Sequence, residues 1–358
     1  LTADILIEQL NKNKNNENNN EKLKNRVKPN NHKKVTFKPT PQQQSNNIDI
    51  KKINAKIEET IRNNNQKNND EFQKININGR IYLILNEIGR GGSSQVFKVL
   101  NKKNREIYAI KRIKVKNNKH DKNVLKSYKN EITLLNKLKE NKYIIKLYDY
   151  LLFCKNGKDI VTDILLLFEY GSTDLSCILK RNKNGCETNI FIIQSYWYQM
   201  LMGVDTIHKC VPPIVHGDLK PANFLMVKGI LKLIDFGIAK QGKYDENRDV
   251  QTQNIYRDCQ IGTLNYMPPE SIVECNGSEG KNKYRLSTSA DIWSLGCILH
   301  QIVFGLTPFS SLNMVQKISM ITNNSLRIPI KEHKNQYIND IILNCIQREP
   351  NKRYSLET

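Results

Sequence analysis

The sequence has no long apolar run and no grouped cysteines. Its longest apolar run, Ile164 to Phe168, is far shorter than the roughly 18 residues that cross a bilayer, and no signal-peptide pattern opens the chain. The 8 cysteines include no Cys-x-x-Cys pair and no adjacent histidine cluster, which excludes a disulfide framework and a zinc site. We therefore predict a protein of the nucleus or cytoplasm, without membrane contact, whose thiols are reduced.

Acidic residues are also scarce, because 35 Asp and Glu stand against 56 Lys and Arg in 358 residues and leave a net charge of +21. Residues 1–79 carry +6 and the remainder carries +15, so the basic residues are spread over the whole chain. A nucleic-acid-binding protein usually gathers them in one patch, often with aromatic residues among them. Lysine here accompanies an excess of Asn and Ile, as an A/T-rich coding sequence would produce. We favour this compositional explanation over nucleic-acid or membrane binding.

The N-terminal segment has too few apolar side chains to form a core. Residues 1–76 are dominated by Asn, Lys and Gln, so we predict a largely disordered N-terminal extension. Ile50, Ile53, Ile57 and Ile61 repeat at helical spacing within it, which indicates either a marginal helix that frays in water or a docking helix for a partner. A first residue other than Met also suggests a fragment of a longer protein.

From Arg80 onward the pattern becomes that of a folded domain. Apolar alternation predicts strands up to about Glu169, interrupted by one helix over Ser127 to Leu138. Further helices are predicted over Ile190 to Lys209, Ser289 to Phe304 and Asn339 to Arg348. We therefore predict an α+β domain over residues 77–358, with a small β-rich lobe over about 77–169 and a larger helical lobe over about 172–358.

A glycine-rich motif lies between the first predicted strands. Gly89, Gly91, Gly92 and Ser94 occupy a turn where backbone N–H groups can approach phosphate oxygens without a Cβ in the way. A dinucleotide-binding fold would place a helix directly after these glycines, whereas this chain continues with a second strand, Val96 to Leu100. We therefore predict a β-hairpin that covers a nucleotide.

Two charged residues follow beside apolar runs. Lys111 comes directly after Tyr108-Ala109-Ile110 in the predicted strand Ile107 to Val115, and Glu131 lies on the helix among Ile and Leu residues. Either residue alone is more simply explained as a surface charge. A buried lysine beside nucleotide phosphates needs a carboxylate to hold it, however, and Glu131 could supply that group.

The strongest chemical signal is a pair of motifs in the second half of the domain. His216 to Asn223 follows a predicted helix, and Ile234-Asp235-Phe236-Gly237 follows a short strand pair. Asp218, Asn223 and Asp235 at these offsets supply a base and two oxygen ligands of the kind that Mg²⁺ prefers beside phosphates.

The order of these motifs resembles the protein kinase family from about Arg80 to the end of the chain. The resemblance implies a bilobal protein kinase fold with ATP and Mg²⁺ as cofactors and proteins as substrates. It also implies that Asp218 orients the substrate hydroxyl and accepts its proton, that Lys220 steadies the transferred phosphate, and that Asn223 and Asp235 bind Mg²⁺.

The same resemblance implies a nucleotide pocket between the lobes. Lys111 would hold the α- and β-phosphates with Glu131 as its anchor, and the hinge Glu169-Tyr170-Gly171 would meet the adenine through its backbone. Phe168 stands at the gatekeeper position, where its ring narrows the back pocket. The other expected contacts with ATP are Ile88, Gly89, Gly91, Gly92, Ser94, Val96, Ala109, Leu225 and Asp235.

Features of the activation segment are similar to those of Ser/Thr-directed kinases. They are Lys220, two residues after the base, and Gly262-Thr263 before Pro268-Pro269-Glu270. Thr263 is expected to hydrogen-bond Asp218 and Lys220.

Two further charged residues are expected to hold this region in place. Glu270 would form a buried ion pair with Arg353 that fixes the activation segment to the helical lobe. Asp291 would hold the backbone of the catalytic loop.

Several segments look more specifically like the monopolar-spindle (TTK-like) kinases. They are Gly91 to Phe97, Ser127 to Ile132, Ile145 to Tyr150, Asp218 to Leu225, Leu231 to Ala239 and Gly262 to Glu270. Pro-Pro-Glu in place of Ala-Pro-Glu and the polar insertion Glu274 to Arg285 are also like that family. The resemblance implies a dual-specificity mitotic kinase of the spindle checkpoint that acts at kinetochores on acidic protein substrates.

The alternatives are a pseudokinase-like scaffold and a Ser/Thr kinase of another pathway. Lys111, Glu131, Asp218, Asn223 and Asp235 are all present, whereas a pseudokinase typically lacks at least one of them. We therefore favour an active enzyme.

One departure from the kinase pattern bears on activation. Gly217 stands where most kinases have Arg, so a phosphate on the activation loop lacks its usual bidentate partner, which Lys240 or Arg257 could replace. The candidate phosphoacceptors are Tyr244, Thr252, Tyr256, Thr263 and Tyr266, of which we predict Thr252. We also expect a last helix of the fold to be missing after Thr358.

Overall fold

The computed structural model describes residues 73–91, 94–115, 119–154, 161–181, 189–236, 240–241, 255–257, 264–273, 275–276 and 282–356. The isoleucine stripe at 50–61 and the predicted site residues Gly92, Thr252 and Thr263 lie outside these ranges. Within them, no helix is long and apolar enough to cross a membrane.

The N-terminal lobe is a six-stranded antiparallel sheet with one long helix. The sheet has the order β1-β2-β3-β4-β6-β5, and helix α1 (Lys119–Lys137) lies between β4 and β5 in the chain. The strands are β1 (Lys74–Ile77), β2 (Arg80–Arg90), β3 (Ser94–Asn101), β4 (Ile107–Lys114), β5 (Leu147–Cys154) and β6 (Val161–Glu169). β2 pairs with β3 across the glycine motif, which confirms the predicted hairpin.

Strand β1 extends the sheet before the predicted domain boundary at residue 77. Its Ile77 is fully buried, and the Asn78 side chain in the following turn donates hydrogen bonds to Asp149 Oδ1 at 2.8 Å and to the Tyr150 carbonyl oxygen at 3.1 Å. This turn therefore connects the first strand to β5, at the opposite edge of the sheet. The folded part begins at least three residues earlier than the composition indicated, because a short edge strand needs little apolar sequence.

The C-terminal lobe is mainly helical, which confirms the predicted two-lobe α+β architecture. Its helices are α2 (Leu175–Arg181), α3 (Ile190–His208), α4 (Thr288–Phe304), α5 (Met314–Thr322) and α6 (Gln336–Cys345). Its short strands are β7 (Thr173–Asp174), β8 (Ile214–Val215), β9 (Phe224–Val227), β10 (Ile230–Leu233), β11 (Lys240–Gln241), β12 (Ile255–Arg257), β13 (Cys275–Asn276) and β14 (Asn282–Leu286). They form three small sheets, β10-β9-β7, β11-β8 and β12-β14-β13.

Helix α4 forms the centre of the C-terminal lobe. Its residues 290–300 are all buried, and Trp293 stacks on Phe309 with ring centroids 6.1 Å apart. A helix that is apolar around its whole circumference needs neighbours on every side, and this explains its central position. Helix α6 begins earlier than periodicity predicted, because the Asn335 side chain caps it by accepting a hydrogen bond from the Tyr337 N–H.

The lobes are joined by the hinge and by the loop between α1 and β5. In that loop, the Ile145 N–H donates to the Leu233 carbonyl oxygen at 3.0 Å, and the Leu233 N–H donates to the Tyr143 carbonyl oxygen at 2.8 Å. Strand β10 of the C-terminal lobe is therefore bonded directly to the N-terminal lobe. The cleft between the lobes contains the predicted site.

Candidate active site

Strand β4 positions Lys111 at the roof of the cleft. Lys111 pairs in register with Val96 of the glycine hairpin, and Ala109, two residues earlier on the same face, pairs with Lys98. The Lys111 side chain is 19% exposed, and its Nζ lies 3.6 Å from Asp235 Oδ1. Burial alone would lower the pKa of Lys111, but the carboxylates of Glu131 and Asp235 outweigh burial and raise it.

Glu131 lies on the inner side of α1 and is 3% exposed. Burial raises its pKa, while the charge of Lys111 acts in the opposite direction. Among the described residues, no ion pair within 4.0 Å joins Glu131 to Lys111, and Glu131 Oε2 is buried without a hydrogen-bond partner. The structure thus places the predicted anchor near Lys111, while their direct salt bridge remains a prediction.

The catalytic loop brings its predicted residues together below the cleft. Lys220 Nζ lies 2.6 Å from Asp218 Oδ2, and Asn223 Nδ2 donates to the Asp218 carbonyl oxygen at 2.9 Å. A short helical turn over Pro221–Asn223 fixes this spacing. The carboxylate of Asp218 is therefore held by a cation on one side, and its backbone is held by the buried Asn223.

Asp235 faces the same cleft from the segment after β10. The Ile234 N–H donates to the Asn223 carbonyl oxygen at 2.9 Å, which aligns Asp235 with the catalytic loop. The Asp235 side chain is 51% exposed. Partial desolvation would raise its pKa, but Lys111, His216 and Lys220 together lower it.

The donor set of Asn223 and Asp235 fits Mg²⁺. Asn223 uses its Nδ2 to hold Asp218, so Oδ1 is the atom that it can offer to a metal. Asp235 is held in its charged form by neighbouring cations and opens into the cleft. An amide oxygen and a carboxylate are hard oxygen donors, which Mg²⁺ prefers together with waters and phosphates.

Asp291 supports the catalytic loop from below. Its Oδ2 accepts from the His216 N–H at 2.9 Å, and its Oδ1 accepts from the Gly217 N–H at 2.8 Å, which confirms the predicted role. Gly217 has φ +71°, a conformation that glycine adopts at no steric cost. His208 of α3 makes a third contact with Asp291, at 2.8 Å.

Comparison with known proteins agrees with this geometry. The family model described as protein kinase domain matches residues 82–358. The chain belongs to the protein kinase family. That family uses ATP with Mg²⁺ and acts on protein substrates.

Individual relatives confirm the resemblance to the monopolar-spindle kinases. The chain is 42% identical to the dual specificity protein kinase TTK of Mus musculus over 287 residues. The aligned region covers 79% of this chain and 31% of the relative. It is 41% identical over 284 residues to the probable serine/threonine-protein kinase mps1 of Dictyostelium discoideum, with 79% and 27% covered. It is 38% identical over 295 residues to the serine/threonine-protein kinase mph1 of Schizosaccharomyces pombe, with 77% and 41% covered. The chain spans less than half the length of these relatives.

The hinge of this kinase domain is fixed by an interlobe ion pair that sequence reasoning missed. Glu169 Oε1 lies 2.6 Å from Lys232 Nζ of β10 and accepts from the Lys146 N–H at 2.8 Å. Both side chains are nearly buried, at 14% and 12% exposed. Lys232 is the one charged residue of the strand Ile230–Leu233, but nothing in the sequence identifies Glu169 as its partner.

The rest of the predicted nucleotide pocket surrounds the hinge. Phe168 pairs in register with Ala109 and lies beside Leu147 across the sheet. A Cβ at Gly171 would come within 2.3 Å of the Leu225 side chain, so glycine allows the hinge to pack directly on the predicted floor of the pocket. Tyr170 accepts a cation–π contact from Lys98, whose Nζ lies 4.8 Å from the ring centroid.

The glycine hairpin of the kinase domain has an ordered base. Gly89 pairs with Val96, and the Gly91 N–H donates to the Ser94 carbonyl oxygen at 2.8 Å, which closes the turn. Ile88 is 44% exposed at the edge of this hairpin.

The predicted pair of Glu270 and Arg353 is confirmed. Arg353 donates to Glu270 Oε1 at 2.6 Å and to Oε2 at 2.8 Å, and also to the carbonyl oxygens of Ser289 and Gln347. The Arg353 side chain is fully buried. This bidentate pair fastens the end of the activation segment to the helical lobe.

Tyr266 is the one predicted phosphoacceptor whose side chain the described residues include. Its hydroxyl donates to Gln301 Oε1 at 2.7 Å, and burial raises its pKa. Ser294 Oγ also donates to the Tyr266 carbonyl oxygen at 2.8 Å. Tyr266 is therefore engaged in holding its segment on α4, which argues against it as a phosphorylation site.

Proposed function

We propose that this kinase domain transfers the γ-phosphate of ATP to Ser and Thr hydroxyls of protein substrates, and also to Tyr. The proposal is supported by two charge pairs in one cleft. Lys111 and Asp235 lie 3.6 Å apart on the nucleotide side, and Lys220 and Asp218 lie 2.6 Å apart on the acceptor side.

The chain's own residues supply positioning and charge neutralisation, which dominate phosphoryl-transfer catalysis. Lys111 would hold the α- and β-phosphates through its N–H donors. Mg²⁺ held by Asn223 and Asp235 would neutralise phosphate charge. Lys220 would contact the transferred phosphate while it keeps Asp218 oriented.

Asp218 would serve as the base for the acceptor hydroxyl. A hydroxyl hydrogen-bonded to its carboxylate would be oriented for attack and would release its proton to Asp218 as the new bond to phosphorus forms.

A role in the spindle assembly checkpoint is proposed from similarity. Relatives with 37% to 42% identity include proteins named MPS1 and TTK. Acidic kinetochore proteins suit a chain with a net charge of +21, and the N-terminal extension could dock partners. A nuclear and cytoplasmic location, with recruitment to kinetochores, follows from this role.

Transfer of radiolabelled phosphate from ATP tests the activity. The wild-type chain should label an acidic Thr peptide and itself, whereas Asp235→Ala should lower labelling by at least about a hundredfold, because one metal ligand and the partner of Lys111 are lost. Equally low labelling by both proteins, with retained ATP binding, would instead support the pseudokinase-like scaffold.

Autophosphorylation at Thr252 remains a prediction and has its own test. Mass spectrometry of the active chain should find phosphate on Thr252. Full activity with Thr252 unmodified would exclude a requirement for this site.

A further inference from the structure

Tyr128 of α1 faces the lysine of the nucleotide site. Lys111 Nζ lies 5.5 Å from the centroid of the Tyr128 ring, a distance at which an aromatic ring attracts an ammonium group. Tyr128 and Glu131 are three residues apart and therefore lie on the same side of the helix. The predicted set of catalytic and cofactor-binding residues did not include Tyr128.

The groups around Lys111 differ in how they hold it. Asp235 lies 3.6 Å away, and Glu131 acts on it electrostatically without a salt bridge within 4.0 Å among the described residues. Both carboxylates can accept hydrogen bonds from the N–H groups of the Lys111 ammonium. The face of the Tyr128 ring attracts the ammonium charge, but it has no lone pair that accepts a hydrogen bond from one particular N–H group. The N–H groups of Lys111 therefore stay available to other acceptors.

We propose that Tyr128 is a positioning residue that holds Lys111 against α1 while the N–H donors of the lysine engage nucleotide phosphates. The proposal rests on the proposed kinase function. If Asp235 serves as a metal ligand, Lys111 must share or lose that partner, and the ring still attracts the ammonium group. Tyr128 thereby couples the position of α1 to the phosphate-binding lysine in addition to Glu131.

A purely structural role for Tyr128 is the competing explanation, because the residue is partly buried and packs against the main apolar core. Two substitutions separate the explanations. Tyr128→Phe keeps the ring and its quadrupole, whereas Tyr128→Leu keeps an apolar side chain but removes the ring. If Tyr128 contributes only to core packing, the substitutions should change the free energy of unfolding and leave the properties of Lys111 unchanged.

The experiment measures Lys111 itself in the full chain. An acyl phosphate of ATP, which acylates a lysine near the bound phosphates, is reacted at one fixed pH and at saturating concentration, and mass spectrometry quantifies the modified Lys111. Loss of the ring removes a group that holds the lysine against α1, so Tyr128→Leu should lower the rate of Lys111 acylation about fivefold. The KM for ATP should rise about fivefold in Tyr128→Leu with little change in the KM for peptide, and Tyr128→Phe should restore both properties.

Tyr148→Leu is the matched control. Lys146 Nζ lies 5.7 Å from the Tyr148 ring centroid outside the cleft, so this change removes a similar contact without touching Lys111. It should leave the rate of Lys111 acylation and the KM for ATP unchanged. The proposal is overturned if Tyr128→Leu gives the wild-type acylation rate and KM for ATP, even with a lowered melting temperature. Because acylation requires only nucleotide binding, this outcome is distinguishable from failure of phosphoryl transfer.

Discussion

Arg353 donates hydrogen bonds to both oxygens of Glu270 and to three backbone carbonyl oxygens, and its side chain is fully buried. Its guanidinium group pairs with both oxygens of Glu270 and lies 5.2 Å from the ring centroid of Trp293. Arg353→Met would leave the Glu270 carboxylate without its cation. We expect the free energy of unfolding to fall by about 3–5 kcal/mol, measured by urea denaturation.

Lys352→Met provides the comparison for that change. Lys352 pairs with Glu349 on the surface, where both side chains are 63% exposed. Its loss should cost less than about 1 kcal/mol. Similar losses for the two variants would contradict the importance assigned to Arg353.

The size of the Phe168 side chain leads to a prediction about inhibitor binding. It pairs in register with Ala109 and Leu147 in the sheet, and the kinase resemblance assigns it to the gatekeeper position. Phe168→Ala should tighten binding of inhibitors that extend behind this position by roughly 30-fold, since burial of an apolar ring is worth about 2 kcal/mol. A parent compound without the extension is the control. Tight binding of an extended inhibitor to the wild-type protein without movement of Phe168 would contradict the prediction.

The order of the motifs predicted that Asp218, Asn223 and Asp235 lie together, and the structure brings them next to one another. Their roles as base and metal ligands stay predictions. Lys232 and His208 were missed because their partners, Glu169 and Asp291, are distant in the chain. Such pairs form only when distant segments pack together, so no local pattern in the sequence identifies both partners.

At the level of elements, β10 links the hinge to the segment that contains Asp235. Lys232 contacts Glu169 of the hinge, Leu233 is bonded to the loop after α1, and Asp235 follows two residues later. Periodicity predicted the ends of α3 and α4 to within one residue, whereas α1 begins at Lys119 rather than at the predicted Ser127. It did not identify α2 and α5. The mutual arrangement of the elements depended on these long-range contacts and came from the structure.

Lys232→Met tests this link. Without the Lys232 cation, the one described contact that the Glu169 carboxylate keeps is the hydrogen bond from the Lys146 N–H. The hinge should therefore loosen. We expect the KM for ATP to rise about three- to tenfold and the melting temperature to fall by several degrees. Lys209→Met, which removes a surface pair with Asp205 whose lysine is 63% exposed, should change neither. An unchanged KM for ATP in Lys232→Met would contradict a role for the pair in the hinge.

For the whole molecule, the main question is where the folded domain begins. Composition placed the boundary at residue 77, whereas β1 starts at Lys74 and buries Ile77. Deletion of residues 1–72 should leave the melting temperature unchanged, while deletion of residues 1–79 should lower it by several degrees, because β1 and the contacts of Asn78 with β5 are lost. Differential scanning calorimetry of the two truncated chains gives the answer. Equal melting temperatures would mean that β1 contributes nothing to stability.

We propose that the cleft of this kinase domain performs phosphoryl transfer with Asp218 as the base. The most direct test is single-turnover transfer from bound ATP to an acidic Thr peptide by wild-type protein and Asp218→Asn, with calorimetry of ATP binding. We predict that Asp218→Asn binds ATP within about threefold of wild type and transfers phosphate at least about a hundredfold more slowly. Transfer by Asp218→Asn at a rate close to wild type would contradict the account.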